Sequence, residues 1–152
     1  MRSLQILYLC IIVKIYSFSP PTKMTKRLFI SDSKIFSTSE ASKFKIVTCL
    51  STSCKKKRNE LGLDSLSTFG SFYSRAKETP VRVEEGACLG ACKNSPCVAV
   101  EHEDFVGQVS IEGMTASEFS DRVFHSVITE EDADRVWLCI ENAIKVMEEE
   151  NE

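Results

Sequence analysis

A short turn-forming stretch decides the fold: Gly86-Ala87-Cys88-Leu89-Gly90-Ala91-Cys92-Lys93-Asn94-Ser95-Pro96, in which two cysteines stand four residues apart. A second pair, Cys49 and Cys54, lies upstream, with four residues between its members. Soft thiolates gathered in two short loops are typical of a metal centre in a small domain. The spacing alone is compatible with a structural zinc ion or with an iron–sulfur cluster, because both accept four thiolates.

The residues around these loops predict an α/β domain. Alternating apolar and polar residues predict four strands, at Phe44–Cys49, Val81–Glu84, Cys97–His102 and Gln108–Ile111. Helical spacing and capping residues predict four helices, from Lys55 to about Gly62, from Leu63 to Ala76, from Thr115 to about Val123, and from Thr129 onward. This order gives a sheet flanked by helices, with each cysteine loop at the end of a strand.

The last predicted helix is acidic and amphipathic. Thr129 is a good N-cap, and six apolar residues recur at helical spacing: Ala133, Val136, Trp137, Ile140, Ile144 and Met147. Residues 129–152 carry nine Asp and Glu against Arg135 and Lys145. Solvent exposure explains this charge, and a docking face for a basic partner is the alternative.

Charge divides the chain into a basic leader and an acidic body. Residues 1–43 have a net charge of +5 and residues 44–152 a net charge of −8. The acidic body argues against a nucleic-acid partner, because phosphate binding needs a basic surface. The apolar run Leu4–Val13, a small residue before Phe18, and the basic stretch 22–43 resemble the bipartite plastid presequences of diatoms and related algae. A mitochondrial presequence or a simple secretory signal are the alternatives.

The cysteine pattern also resembles a known family. Cys-x4-Cys, a gap of 33 residues, and Cys-Leu-Gly-Ala-Cys-x-Asn-x-Pro are similar to the thioredoxin-like [2Fe–2S] ferredoxins, as in small bacterial ferredoxins and the small subunit of respiratory complex I. The resemblance covers about Phe44 to Phe124. It implies a thioredoxin-like fold, redox protein partners and one [2Fe–2S] cluster that transfers electrons without enzymatic catalysis. It also implies four ligands, Cys49, Cys54, Cys88 and Cys92.

We therefore expect a targeting presequence at 1–43, a thioredoxin-like [2Fe–2S] domain at 44–128 and an acidic helix at 129–152. No membrane insertion is expected after processing, and a homodimer is left open. The alternative functions are a structural zinc or cluster-assembly domain and a relay subunit of a larger NAD- or flavin-dependent oxidoreductase. Cys10 belongs to the leader. Cys97 and Cys139 are expected in the core.

Two further groups of residues carry predictions. His102 and His125, the two histidines, fall outside the cysteine loops, which argues against Rieske-type ligation. The basic run 55–58 is expected to be a solvated face, with docking or compensation of the cluster's negative charge as the alternative. The odd number of cysteines, seven, argues against a disulfide framework.

Overall fold

The architecture is that of a computed structural model, which describes residues 40–151. The predicted presequence lies outside this range except for its last four residues, and so does Cys10. A 3-10 turn, Ala41–Lys43, leads into the first strand, and Ala41 is fully buried. None of the helices between residues 40 and 151 is both long and apolar enough to cross a bilayer.

Three strands form a mixed sheet. They are β1 (Phe44–Cys49), β2 (Arg82–Gly86) and β3 (Val98–His102), in the order β2-β1-β3. The central β1 runs parallel to β2 and antiparallel to β3. It buries five of its six residues, as expected for a strand with a neighbour on each side and covered faces.

Within residues 40–151, four helices flank the sheet: α1 (Thr52–Glu60), α2 (Ser67–Ala76), α3 (Ala116–Asp121) and α4 (Glu130–Asn151). The predicted capping box of α3 is present, since the Thr115 hydroxyl accepts from the Glu118 amide and the Glu118 carboxylate accepts from the Thr115 amide. The Thr129 hydroxyl accepts from the Asp132 amide at 3.2 Å and caps α4 as predicted. Helix α1 begins three residues before the predicted Lys55.

The apolar stripe of α4 completes the main core. Val136, Ile140 and Ile144 are fully buried and belong to the same cluster as Phe44 of β1 and Phe72 of α2. The predicted α/β class, a mixed sheet flanked by helices with an additional C-terminal helix, is therefore confirmed.

The predicted strand at 108–111 was wrong. Gln108 forms only an isolated bridge with Glu101, next to a hydrogen bond from the Val109 amide to the Val100 carbonyl. The chain then leaves the sheet, and the Ser110 hydroxyl donates to the Phe119 carbonyl at 2.7 Å. The alternating pattern of residues 108–111 therefore corresponds to a segment that packs half-buried beside β3 but does not form a strand with it.

Candidate metal centre

The two cysteine loops lie side by side at one end of the sheet. Cys49, the last residue of β1, is the register partner of Gly86, the last residue of β2. The Leu50 amide donates to the Gly86 carbonyl at 3.1 Å and extends the pairing by one residue. Both chains then turn away from the sheet, the first into α1 and the second into the turn 87–92. Parallel pairing thus brings together two loops that are distant in sequence.

The first pair of cysteines faces inward. Cys54 lies in the first turn of α1, so it returns towards Cys49 at the end of β1. Cys49 is 2% exposed and Cys54 is 1% exposed, and their thiols are hydrogen-bond partners. Sγ of Cys49 also lies 3.2 Å from Oγ of Ser51. This pair forms the protein-facing side of the centre.

The second pair faces solvent. Cys88 and Cys92 are exposed, and their sulfurs lie 3.2 Å apart. That separation exceeds the disulfide bond length of about 2.05 Å, and all six cysteines of the described residues are free thiols. Gly90 has φ +89°, a left-handed conformation that glycine adopts readily, and it folds the chain back between the two cysteines.

Serine hydroxyls of the first loop act on the cysteines of the second. The Ser51 hydroxyl helps to lower the pKa of Cys88. The Ser53 hydroxyl opposes the rise in the pKa of Cys92. The two loops therefore influence each other's thiols, and β1 and α1 support the first loop while the 87–92 turn carries the second.

Burial and hydrogen bonding act in opposite directions on the first pair. Burial would raise the pKa of Cys49, but hydrogen bonds from Ser51 and from the Leu89 amide outweigh it and lower that pKa. Burial raises the pKa of Cys54, and the neighbouring Cys49 raises it further. The pKa values of the two thiols in this pair are therefore shifted in opposite directions.

The second pair repeats this arrangement. A hydrogen bond from the Gly90 amide lowers the pKa of Cys88, and the contact with Cys92 lowers it further. The pKa of Cys92 is raised, first by Cys88 and then by burial. Metal binding requires deprotonated thiolates, so binding at these four cysteines would release protons.

The sulfurs form two pairs rather than a single tetrahedron. Within residues 40–151, no three cysteine sulfurs lie within 4.8 Å of one another. One zinc ion with four thiolates would hold its sulfurs about 3.8 Å apart, because each Zn–S bond is about 2.3 Å long. A [2Fe–2S] cluster has four cysteine thiolates distributed over two irons. The donor set therefore fits a binuclear centre better than a single zinc ion.

A different group meets the distance criterion for a cation site: Glu40, His102 and Asp104. The Lys43 ammonium lies 3.0 Å from Oε1 of Glu40 and 3.1 Å from Oδ2 of Asp104. Because the Lys43 ammonium already pairs with both carboxylates, we interpret this group as an ion-pair network at the far end of the sheet.

The two remaining cysteines of the described residues are buried, as predicted. Cys139 lies in α4 within the main core, and burial raises its pKa. Cys97 lies against the cysteine loops: its thiol donates to the Ala91 carbonyl at 3.2 Å and to the Asn94 carbonyl at 3.4 Å. Burial raises the pKa of Cys97 strongly, which favours a protonated structural thiol.

The histidines are not placed to ligate a metal with the cysteines. His102 ends β3, at the opposite end of the strand from Cys97, and packs edge-on against Phe44. His125 contacts the side chain of Asn94, with its Nδ1 3.3 Å from Nδ2 of the amide. Both therefore serve packing and loop contacts in the described part of the chain.

The sequence interpretation missed the position of Arg58. It belongs to the basic run predicted as a solvated face, yet it is 1% exposed and donates to the Cys49 carbonyl at 3.1 Å. Lys55, Lys56 and Lys57 are exposed as predicted. The spacing could have indicated that Arg58 is buried. Residues i and i+4 share a helix face, and Arg58 stands four residues after Cys54.

Comparison with known families matches residues 33–117 to the thioredoxin-like [2Fe-2S] ferredoxins. No curated protein and no solved structure matches the chain. The matched range covers more than half of the sequence and contains both cysteine loops, the three strands of the sheet, α1 and α2. The chain therefore belongs to the thioredoxin-like [2Fe–2S] ferredoxin family, and its cofactor is one [2Fe–2S] cluster.

Proposed function

We propose that this protein transfers single electrons and that four cysteines ligate its cluster: Cys49, Cys54, Cys88 and Cys92. The observation that carries the proposal is their arrangement as two close pairs on adjacent loops. In this assignment the buried pair, Cys49 and Cys54, would hold one iron, and the exposed pair, Cys88 and Cys92, would hold the other. When bound, the cluster supplies a site that accepts and returns one electron.

The surrounding residues set how readily that site is reduced. Backbone hydrogen bonding at Leu89 and Gly90 lowers the pKa of Cys49 and Cys88, and such hydrogen bonds stabilise negative charge on the thiolates. Because Cys88 and Cys92 are exposed whereas the first pair is buried, we assign electron exchange with partners to the 87–92 turn.

We propose a carrier rather than an enzyme, and a mobile carrier rather than a fixed relay subunit. Exposed cations lie beside the cysteine loops, on Lys55, Lys56, Lys57 and Lys93. A charged rim favours short encounters with redox proteins, since complementary charge speeds association. The acidic α4 is a weaker docking candidate, because Arg75 pairs with both Glu130 and Asp134 at 2.7 Å.

A homodimer is a separate possibility, and sedimentation of the holoprotein tests it.

We propose the plastid as the destination of the mature protein, with the mitochondrion as the alternative. The support is the sequence of residues 1–43 alone. Fusing this segment to a fluorescent protein in a diatom tests the assignment: chlorophyll-coincident fluorescence supports it, whereas mitochondrial or secreted fluorescence contradicts it.

Visible absorption and electron paramagnetic resonance of the full chain, purified without air, test the function. We expect a red-brown protein with a reduced-state signal that disappears in Cys88→Ser. A colourless protein with one equivalent of zinc would overturn electron transfer and favour a structural domain.

A further inference from the structure

Arg58 is a buried cation whose partners in the described residues are all neutral. Nε donates to the Thr68 hydroxyl at 2.9 Å, and Nη1 donates to the carbonyls of Cys49 at 3.1 Å and Ser65 at 3.3 Å. Nη2 is buried and has no hydrogen-bond partner in this part of the chain. The guanidinium therefore lacks the carboxylate that normally accompanies a buried arginine.

Such an arrangement is costly unless a negative charge lies nearby. A guanidinium stays protonated in proteins, and an unpaired buried charge is strongly destabilising. Arg58 lies directly behind the first cysteine loop, since it contacts the Cys49 carbonyl and follows the buried Cys54 by one turn of α1. The proposed thiolates of the adjoining cysteine loop are a source of compensating negative charge.

We propose that Arg58 is the buried counter-charge of the cluster site and raises its reduction potential. The inference rests on the proposed ligand set. Four thiolates make the loaded site negative, and one electron makes it one unit more negative, so a fixed cation favours the reduced state. The exposed lysines of the same helix act less strongly, because water and salt screen them.

Arg58 is also a positioning residue. Its guanidinium donates hydrogen bonds to the Cys49 carbonyl at the end of β1, to the Ser65 carbonyl and to the Thr68 hydroxyl of α2. Replacing Arg58 therefore removes support from the backbone of Cys49 as well as a positive charge. The test must therefore separate charge from mechanical support. Stability of the apoprotein reports the support, and the midpoint potential of the holoprotein reports the charge.

The first comparison uses Arg58→Gln and Arg58→Lys in the full chain, with Lys55→Met as the control for loss of an exposed charge. For Arg58→Gln we expect about a tenfold loss in the equilibrium constant for reduction, a fall of about 59 mV for a one-electron couple. Arg58→Lys should retain most of the potential despite lower apoprotein stability, and Lys55→Met should leave the potential near that of the wild type.

A second comparison keeps the arginine in place, in case Arg58→Gln does not fold. Thr68→Asp puts a carboxylate opposite Nε and neutralises the guanidinium, whereas Thr68→Asn is its uncharged match. We expect the potential of Thr68→Asp to fall below that of Thr68→Asn. Equal potentials in this pair, or an unchanged potential in Arg58→Gln, would overturn the counter-charge role. A wild-type protein without a cluster signal would overturn the proposed function itself, and this inference with it.

Discussion

Cys49 and Gly86 are direct partners in the parallel register between β1 and β2. This one pairing places the loop after each strand at the same end of the sheet, although 33 residues separate Cys54 from Cys88. Sulfur atoms from the two loops then need only short turns to approach one another. The metal centre is therefore a consequence of strand register as much as of the cysteine motif.

Replacing Gly86 should disrupt this junction. A Cβ at Gly86 would overlap Cγ1 of Val47 on the neighbouring strand. We expect Gly86→Ala to lose about 1–3 kcal/mol of unfolding free energy, as overpacked sites do, and to retain less cluster. Gly70→Ala is the matched control, since a Cβ there meets nothing within 4 Å and alanine favours the helix. Urea unfolding with iron analysis checks both, and equal stability of the two variants would contradict the steric argument.

Loss of either cysteine pair should remove the cluster, while loss of a core cysteine should not. We expect Cys54→Ser and Cys92→Ser to lose or strongly alter the visible absorption, because each removes a proposed thiolate. Cys139→Ala should keep the full spectrum and lose only packing energy, since Cys139 lies in the main core. Iron content per chain is the decisive measurement. A Cys92→Ser protein with unchanged spectrum and iron would contradict the ligand assignment.

The ion pair between Glu118 and Arg135 should make stability depend on acid pH. Burial would raise the pKa of Glu118, but hydrogen bonds from Arg135 and from the amides of His125 and Thr115 bring it to about 2. A lowered folded-state pKa stabilises the protein above about pH 4.5, and this contribution, about 3 kcal/mol, is lost as the pH falls towards 2.

Unfolding free energies between pH 6 and pH 2 measure this effect. Glu118→Gln should be less stable at pH 6 and should show a flatter decline with acid. Glu112→Gln serves as the control, because Glu112 is exposed. Parallel pH profiles for the wild type and Glu118→Gln would show that the pair does not govern acid unfolding.

The elements with strong local signals could be predicted from the sequence. The capping box at Thr115 depends on contacts within one helix, and the apolar stripe of α4 follows the helical period, so spacing in the sequence indicates both. The cysteine motif likewise gave the loops at the ends of β1 and β2. That the four cysteines ligate the cluster is still a prediction. Their arrangement in pairs supports it.

The misses concern contacts between distant segments. Nothing in the local sequence of residues 108–111 indicates that this segment leaves the sheet, or that the Ser110 hydroxyl donates to the Phe119 carbonyl. Similarly, the sequence of the basic run 55–58 predicts a solvated face. The burial of Arg58 instead involves the Thr68 hydroxyl of α2 and the Ser65 carbonyl, which both accept hydrogen bonds from its guanidinium. Tertiary contacts overrode local pattern in both cases.

Cys97 offers a way to separate a buried thiol from a ligand. Its sulfur donates to the carbonyls of Ala91 and Asn94, and each carbonyl also accepts from a backbone amide, those of Asn94 and Ser126 respectively. Both carbonyl oxygens keep a backbone donor in Cys97→Val, so we expect the free energy of unfolding to fall by only about 1 kcal/mol. The reduced-state resonance spectrum should be unchanged, because the four proposed ligands remain. Loss of the signal in Cys97→Val, with the apoprotein still folded, would instead make Cys97 a ligand and remove one of the four from the set.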